Sequence, residues 1–201
     1  IYSICSISKL FTSIGVMQLY DQGKLRLDDR VDKLIPWFNL KGDHQDSGPV
    51  TVRGILSHAS GLPRASDFPY WTGPGFQFPT REEIKARISS QETLDPAEAY
   101  FQYSNLGLTL AGELIHQLSG QSYSEYMQTR VLDPLELRDT YSEMPADQKG
   151  KRLATGYGTL TREGTRPRMP FFQARGIAPA AGYASTVEDL AKFASWQFRL
   201  L

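Results

Sequence analysis

A serine and a lysine near the start of the chain have the types and spacing of a nucleophile and its base. Ser6 and Lys9 stand three residues apart in the order Ser-Ile-Ser-Lys. If a helix begins at the serine, positions i and i+3 lie on one face, so the amine can reach the hydroxyl. An amine that removes the hydroxyl proton would make Ser6 a nucleophile for acyl transfer without a histidine.

A tyrosine and an asparagine, Tyr103 and Asn105, form a second candidate pair. The chain has 10 tyrosines but only two asparagines, so a chance Tyr-x-Asn match is expected roughly 0.1 times. Tyr103 could carry a proton, and the Asn105 amide could hold a substrate. Taken alone, Ser6 and Lys9 also fit an ordinary interpretation, a helix-capping hydroxyl and a solvated lysine.

The residues after Ser6 predict a buried helix that ends at Gly23. Its apolar positions recur at helical spacing: Ile7, Leu10, Phe11, Ile14, Val16, Met17, Leu19 and Tyr20. A helix that is apolar around most of its surface is expected to be buried, and Lys9 lies in its first turn. Burial and the positive end of the helix dipole both disfavour the charged ammonium. This context favours a catalytic lysine.

Both motifs belong to a longer set of landmarks. The chain resembles the serine β-lactamase-related family, which includes class C β-lactamases, D-Ala-D-Ala carboxypeptidases and related esterases. The resemblance is carried, in the family's order, by residues 4–9, 23–29, 55–63, 101–107, 133–135, 154–157 and 182–186. Several ordered landmarks are more specific than either short motif.

The resemblance implies a serine hydrolase that forms a covalent acyl-enzyme on an ester, a β-lactam or a D-Ala peptide. Ser6, Lys9 and Tyr103 would be catalytic. Asn105 would bind substrate and orient Lys9, and no cofactor would be needed. The partner would be a small-molecule or peptide substrate. The resemblance also favours a periplasmic or secreted location over a cytoplasmic one, which the residues themselves do not assign.

The family pattern is only partly present. Its third motif, a Lys or His followed by a variable residue and Gly, has no counterpart here, and Ser6 lies only five residues from the start. We therefore expect an α+β fold with the serine β-lactamase/transpeptidase architecture. Residues 1–201 would form a single domain, incomplete at both ends, consisting mostly of the helical subdomain with much of the antiparallel sheet missing.

Two alternatives remain open at this point. The chain could be a catalytically inactive fragment or degenerate homologue that acts as a binding or assembly module, with self-association through exposed apolar surface. It could also be an unrelated helical protein with coincidental motifs, in which case Ser6 and Tyr103 would lie far apart.

Composition excludes several function classes. Hydrophobic residues make up 40% of the 201 residues, and 22 acidic side chains offset 22 basic ones. The balance predicts no nucleic-acid partner, and no apolar run approaches the ~18 residues of a membrane span.

His44, His58 and His116 lack metal-ligand spacing, so no metal is predicted. We expect a structural hydrogen-bonding role for His58 and a buried packing role for Cys5, with a reactive thiol as the alternative.

The rest of the chain reads as mainly helical. Helices are predicted near 81–90, 105–118 and 123–131, after Thr186, and from Thr51 to Ser57. Strand signals are sparse, and the best lie at 50–52 and 154–160. The aromatic stretch 64–79 is predicted to be a loop, which would either pack on its own aromatic side chains or form a wall of the substrate site.

Overall fold

The computed structural model describes residues 1–41, 44, 47–66 and 75–200. Within those ranges the chain forms eight α-helices and a single two-stranded sheet. The helices are α1 (Ser8–Asp21), α2 (Val31–Leu34), α3 (Val52–Leu56), α4 (Arg81–Arg87), α5 (Asn105–Ser119), α6 (Tyr123–Met127), α7 (Ala178–Ala181) and α8 (Val187–Phe198). The strands are β1 (Tyr2–Ser3) and β2 (Ala184–Ser185).

Helix α5 lies at the centre of the structure. Every residue from Asn105 to Ile115 is buried, and α1, α3, α6 and α7 all pack against this helix. Ser104 caps its start by accepting a hydrogen bond from the Gly107 N–H, and Gly120 ends it in the left-handed conformation. Such a helix is stabilised mainly by the apolar surface it removes from water, so its first turn is a rigid base for the neighbouring side chains.

The predicted helix starts agree with the structure because short polar side chains satisfy the free N–H groups of the first turn. Thr80 with Glu83 and Ser122 with Glu125 form reciprocal capping boxes at α4 and α6. Thr51 caps α3 through the Gly54 N–H. After α4 the chain continues as a 3-10 turn at Ile88–Ser90, and after α6 as a π-helical turn at Gln128–Leu132.

Both strand predictions are wrong. Thr51 makes only an isolated bridge with Arg30, because its side chain caps α3 and so commits the next residue to a helix. Residues 154–160 contribute only the isolated bridge of Tyr157 with Arg168. The sheet of the described residues instead pairs β1 antiparallel with β2, with Tyr2 opposite Ser185. The architecture is the expected one, mostly helices with little sheet.

Helix α1 is buried on one side only, which corrects the prediction that it is enclosed. Phe11, Val16 and Leu19 are fully buried. On the other side of the helix, Leu10 is 54% exposed and Met17 is 37% exposed. The sequence pattern is apolar on both sides, but the described residues cover only the side that faces α5.

Close packing of α7 on α5 brings a backbone carbonyl towards α1. A Cβ atom on Gly112 of α5 would lie 2.2 Å from Cγ of Pro179, so only glycine permits this approach. Helix α7 also packs against α1. The Thr12 hydroxyl of α1 donates to the carbonyl oxygen of Pro179 at 2.7 Å. The neighbouring carbonyl, that of Ala180, therefore faces the first turn of α1.

The predicted aromatic loop at 64–79 is only partly described, since Phe68, Tyr70 and Trp71 lie outside the described residues. In the described part, Phe78 is buried and stacks on Phe172, with ring centroids 5.2 Å apart. Phe76 contacts the same ring at 6.0 Å. These two aromatic side chains pack within the protein. Over the described ranges, no helix is both long enough and apolar enough to cross a membrane.

Candidate active site

The candidate nucleophile lies on a tight turn. Ser6 is the middle residue of a 3-10 turn, Cys5–Ile7, that leads directly into α1, and its side chain is exposed. Cys5 has a φ of 43° and is also exposed, so its prediction as a buried packing residue is wrong. The Ser8 hydroxyl donates to the Cys5 carbonyl and accepts from the Tyr183 N–H at 3.0 Å. These contacts hold a backbone conformation that costs energy for a residue other than glycine.

Lys9 is held in place by two acceptors. Its amine donates to the Ser6 hydroxyl oxygen at 3.1 Å and to the Ala180 carbonyl oxygen at 2.8 Å. The side chain is only 7% exposed. Because one acceptor belongs to α7 and the other to the turn before α1, the amine links two separate parts of the chain at the nucleophile.

Tyr103 completes the contact with Ser6. Its hydroxyl donates to the Ser6 hydroxyl oxygen at 2.7 Å, and the Lys9 amine lies 4.8 Å from the centroid of its ring. Burial raises the pKa of the Tyr103 hydroxyl. The polar contact with the Lys9 amine, the hydrogen bond with Ser6 and the positive charge of Lys9 together outweigh burial, so the pKa is lowered overall. A phenol with a lowered pKa gives up and recovers a proton more readily near neutral pH.

Asn105 is the first residue of α5, and its backbone is fixed. Its N–H donates to the Arg64 carbonyl at 2.7 Å, and its own carbonyl accepts from the Thr109 hydroxyl at 2.9 Å. The side-chain oxygen Oδ1 is buried and finds no hydrogen-bond partner among the described residues. Nor does a hydrogen bond join it to Lys9 there, because the amine is directed to Ser6 and Ala180. The expected orienting contact is therefore absent from the described structure.

A loop of residues 58–64 holds the segment that carries Tyr103. The His58 carbonyl accepts from the Gln102 N–H at 2.7 Å, and His58 Nδ1 accepts from the Ser104 N–H at 3.2 Å. The Ser104 hydroxyl donates to the Pro63 carbonyl at 2.7 Å. His58 thus binds the residues on both sides of Tyr103, and burial, aided by the charge of Lys9, lowers the pKa of its ring.

The structure brings Ser6, Lys9 and Tyr103 into direct contact. Asn105 follows Tyr103 by two residues and begins α5, with no hydrogen bond from its side-chain oxygen to the other three among the described residues. Sequence reasoning missed the Ala180 carbonyl, which has no side-chain signature because it belongs to the backbone. It also missed Arg64, whose guanidinium lies over the Tyr103 ring at 5.1 Å from the centroid. The one available signal was its position directly after the landmark segment 55–63.

The arrangement of these groups suits proton transfer from a serine. Ser6 accepts hydrogen bonds from both Lys9 and Tyr103, so it can lose its own proton only when one of these partners is deprotonated. The described residues contain no group of three or more His, Cys, Asp or Glu side chains that could hold a metal ion. The hydroxyl, amine and phenol of Ser6, Lys9 and Tyr103 offer nucleophilic and acid–base chemistry.

Known proteins with similar sequences and folds support a family assignment. A family model described as Beta-lactamase matches residues 1–201. The chain is 30% identical over 192 residues to penicillin-binding protein 4 of Amycolatopsis lactamdurans. Its fold is similar to that of an octameric penicillin-binding protein homologue from Pyrococcus abyssi, with a TM-score of 0.76 and 32% identity. It is also similar to a β-lactamase/D-alanine carboxypeptidase from Yersinia pestis, with a TM-score of 0.77 and 27% identity.

Each match covers nearly all of this chain but only about half of the similar protein. The matches take in 94% of this chain and 48% of the Amycolatopsis protein. The match to the Pyrococcus structure covers 96% of this chain and 44% of that protein. The match to the Yersinia structure covers 96% of this chain and 52% of that protein. The chain thus spans about half the length of these relatives.

The family and these neighbours are hydrolases of the serine β-lactamase superfamily. Because the family model matches along all 201 residues, the chain belongs to the beta-lactamase family.

Proposed function

We propose that this chain carries the nucleophile of a serine hydrolase that forms a covalent acyl-enzyme on Ser6. The observation that carries the proposal is the position of the Ser6 hydroxyl oxygen, 3.1 Å from the Lys9 amine and 2.7 Å from the Tyr103 hydroxyl. Two proton-transfer groups within hydrogen-bond distance of one exposed serine are sufficient for activation of the nucleophile and protonation of the leaving group.

Acylation follows from this geometry. The Ser6 oxygen attacks the carbonyl carbon of an ester or amide while its proton passes to Lys9 or Tyr103. The tetrahedral intermediate then collapses, the bond to the leaving group breaks, and Tyr103 protonates that group. The Ser6 N–H, at the start of the helical segment, contributes one donor to the oxyanion. In deacylation the same groups remove a proton from water, which attacks the acyl carbon and releases Ser6.

The first proton acceptor is the pair of Lys9 and Tyr103 rather than either side chain alone. The lysine lies against the tyrosine ring and also contacts Ser6. Its positive charge lowers the tyrosine pKa. A neutral lysine with a protonated tyrosine, and a charged lysine with a phenolate, both contain one base and one acid.

The substrate class is an ester, a β-lactam or a D-Ala peptide. The names of the similar proteins refer to penicillin binding, to β-lactamase and to D-alanine carboxypeptidase. All three substrate types present a carbonyl to a serine nucleophile and differ in the leaving group. The side chains around Ser6 supply the shared step, which is attack and proton transfer.

Turnover assays with one substrate from each type test the proposal. A p-nitrophenyl ester, nitrocefin and a D-Ala-D-Ala peptide would be compared in the protein and in its Tyr103→Phe variant. Loss of the phenol should lower kcat by about 10²–10⁴ for every substrate that is turned over. The control is Tyr157→Phe, since Tyr157 is 61% exposed and lies outside the site. Equal rates in the two variants would remove Tyr103 from the mechanism.

A second candidate function, an assembly module, is favoured by the apolar side chains exposed on α1 and at the residue just before it. Ile7, Leu10, Met17 and Tyr20 are 41%, 54%, 37% and 42% exposed. Leu10 and Met17 are seven residues apart and so lie on one face. Exposed apolar surface of this kind marks an interaction site or a tendency to associate. We propose self-association through this face as a property that exists beside catalysis.

A further inference from the structure

The carboxylate of Glu143 binds the backbone of the segment that leads into α7. Its oxygen Oε1 accepts from the Ala174 N–H at 2.7 Å, and its oxygen Oε2 accepts from the Arg175 N–H at 2.8 Å. Oε1 also accepts from the Met144 N–H at 3.3 Å. Both carboxylate oxygens are therefore engaged with backbone donors. The proposed proton transfers at Ser6 make no direct use of this side chain.

The backbone at Ala174 and Arg175 is shaped to bind an anion. Ala174 is in the right-handed helical conformation, with φ −76° and ψ −13°, and Arg175 has a φ of 49°. A right-handed residue followed by a left-handed one directs successive N–H groups into one concavity, called a nest, which binds anionic oxygens. The left-handed conformation costs energy for a residue other than glycine. The Glu143 carboxylate occupies this nest and so stabilises the conformation.

The segment that Glu143 holds carries the backbone acceptor of Lys9. The 3-10 turn Arg175–Ile177 continues directly into α7. The Ala180 carbonyl of α7 accepts from the Lys9 amine at 2.8 Å. Because the nest and this carbonyl belong to one short helical run, a displacement at Arg175 is passed along the run to Ala180.

The neighbours of Glu143 hold the other end of the same run. Tyr141 and Ala184 exchange both backbone hydrogen bonds, at 2.9 Å and 3.0 Å. Glu143 lies two residues after Tyr141, so one short stretch of chain fixes the run 174–184 at its start and at its end. At the start it does so through a side chain, which a substitution can change without altering the backbone.

We propose that Glu143 is a positioning residue for Lys9. By holding the nest at Ala174 and Arg175, its carboxylate fixes the Ala180 carbonyl to which the Lys9 amine binds. The proposal rests on the proposed hydrolase function, in which Lys9 takes part in proton transfer from Ser6. It extends that function to a side chain that acts through the backbone of another segment, where a small displacement of a reacting group is costly.

Removing the carboxylate and then replacing it tests the proposal. Glu143→Ala should lower kcat for a p-nitrophenyl ester about 10–10²-fold with little change in KM, because Lys9 is displaced and the substrate contacts are kept. Glu143 and Arg175 line a cavity of about 270 Å³, which gives a small anion access to the empty nest. Added acetate should restore much of the lost kcat in this variant and leave the wild type unchanged. Acetamide, which has a similar size and no charge, should restore none.

A second variant keeps the test decisive if Glu143→Ala does not fold. Glu143→Gln preserves the size of the side chain but offers one acceptor oxygen in place of two. Burial raises the pKa of the Glu143 carboxyl, so removing its charge relieves a desolvation cost and favours folding. Its kcat should also fall, and acetate should not restore it because the amide still fills the nest.

Glu125→Ala is the matched control. Glu125 also accepts a backbone N–H at the start of a helix, from Ser122 at 3.0 Å, but it belongs to α6. This variant should keep its kcat. Full kcat in folded Glu143→Ala or Glu143→Gln would overturn the proposal, and so would a loss in Glu143→Ala that acetate does not restore.

Chemical labelling keeps this result separate from the fate of the hydrolase proposal. Lys9 is only 7% exposed, so reductive methylation of its amine is slow while the Ala180 contact persists. Glu143→Ala should speed this methylation about tenfold by opening the contact, and acetate should slow it again. The exposed Lys24 is the internal reference. If the protein hydrolyses no ester but Lys9 labelling changes in this way, the hydrolase function fails and the positioning role stands. If Lys9 is labelled equally in both proteins, the positioning role is disproved.

Discussion

The imidazole ring of His58 lies against the phenol ring of Tyr103, with centroids 4.5 Å apart and planes inclined at 32°. The same histidine accepts a hydrogen bond at Nδ1 from the Ser104 N–H. This bond requires that Nδ1 carry no proton, so His58 supports the tyrosine only in its neutral form. Its φ of 60° is of a kind that asparagine tolerates better than most residues.

We predict that His58→Ala lowers stability by about 1–3 kcal/mol, because the partly buried Ser104 N–H loses its acceptor. His58→Asn should cost less, since its side-chain oxygen can accept the same hydrogen bond and it suits the backbone conformation. Chemical denaturation of the two variants at pH 7.5 provides the measurement. If the two variants lose equal stability, the Nδ1 bond contributes nothing.

The pH dependence of stability gives a second test of His58. Burial, with help from the charge of Lys9, holds its pKa below the ordinary 6.5. As pH falls below that value, the unfolded chain takes up a proton before the folded one, so stability is lost towards the folded pKa. His58→Asn should remove this part of the slope between pH 7.5 and 5. The exposed His44→Asn should keep it, and identical slopes in all three proteins would contradict the assignment.

Ser6 and Lys9 should behave as one functional unit. We expect Ser6→Ala and Lys9→Ala each to lower kcat by about 10³ or more, with the double variant little worse than either, because each change disables the same proton transfer. Steady-state kinetics with a p-nitrophenyl ester provide the comparison, with circular dichroism to verify folding. Losses that multiply would indicate that the two side chains act independently.

Gly112 should affect activity from a distance. A methyl group there would lie 2.2 Å from Cγ of Pro179, pushing away the segment whose next carbonyl, that of Ala180, binds Lys9. We expect Gly112→Ala to cost about 1–3 kcal/mol of stability and to reduce kcat in the remaining folded protein. Gly48→Ala is the control because a Cβ atom there has no neighbour within 4 Å. Unchanged stability and kcat in Gly112→Ala would show that the α5–α7 contact is loose.

Charged substitutions on the exposed face of α1 test whether the protein self-associates through this helix. Replacing both Leu10 and Met17 by glutamate places two like charges on the exposed apolar face of α1. We predict that residues 1–201 sediment as a concentration-dependent assembly and that this double variant shifts them towards the monomer. Leu94→Glu is the control, because Leu94 is equally exposed at 56% but lies outside α1. A wild-type monomer at all concentrations would rule the proposal out.

Much of the helical framework is predictable from sequence because its signals are local. Thr80 with Glu83 and Ser122 with Glu125 mark helix starts through hydrogen bonds within a few residues. The strand predictions fail for the opposite reason, since a strand needs a partner elsewhere in the chain. At Thr51 the local capping bond to Gly54 prevails over the weak strand signal.

In the candidate site, too, local contacts are predictable from sequence and contacts between distant segments are not. Ser6 and Lys9 are three residues apart, so their contact follows from helical geometry once a helix is expected. The contact of Tyr103 with Ser6 depends on α5 and the loop at His58. The rare Tyr-x-Asn motif suggested it as a possibility, and the resemblance to a family supported it. Neither source predicts Arg64 on the tyrosine ring or the Ala180 carbonyl on Lys9, because both depend on how distant segments pack.

The central claim is that Ser6 forms an acyl-enzyme, and the most direct measurement is mass spectrometry of the protein quenched in acid during turnover of a p-nitrophenyl ester. We predict that the protein gains the mass of one acyl group and that peptide mapping assigns it to Ser6. Ser6→Ala should remain unmodified, whereas Cys5→Ala, which removes the exposed neighbouring thiol, should still be acylated. An adduct that persists in Ser6→Ala, or that maps to Cys5, would contradict the account.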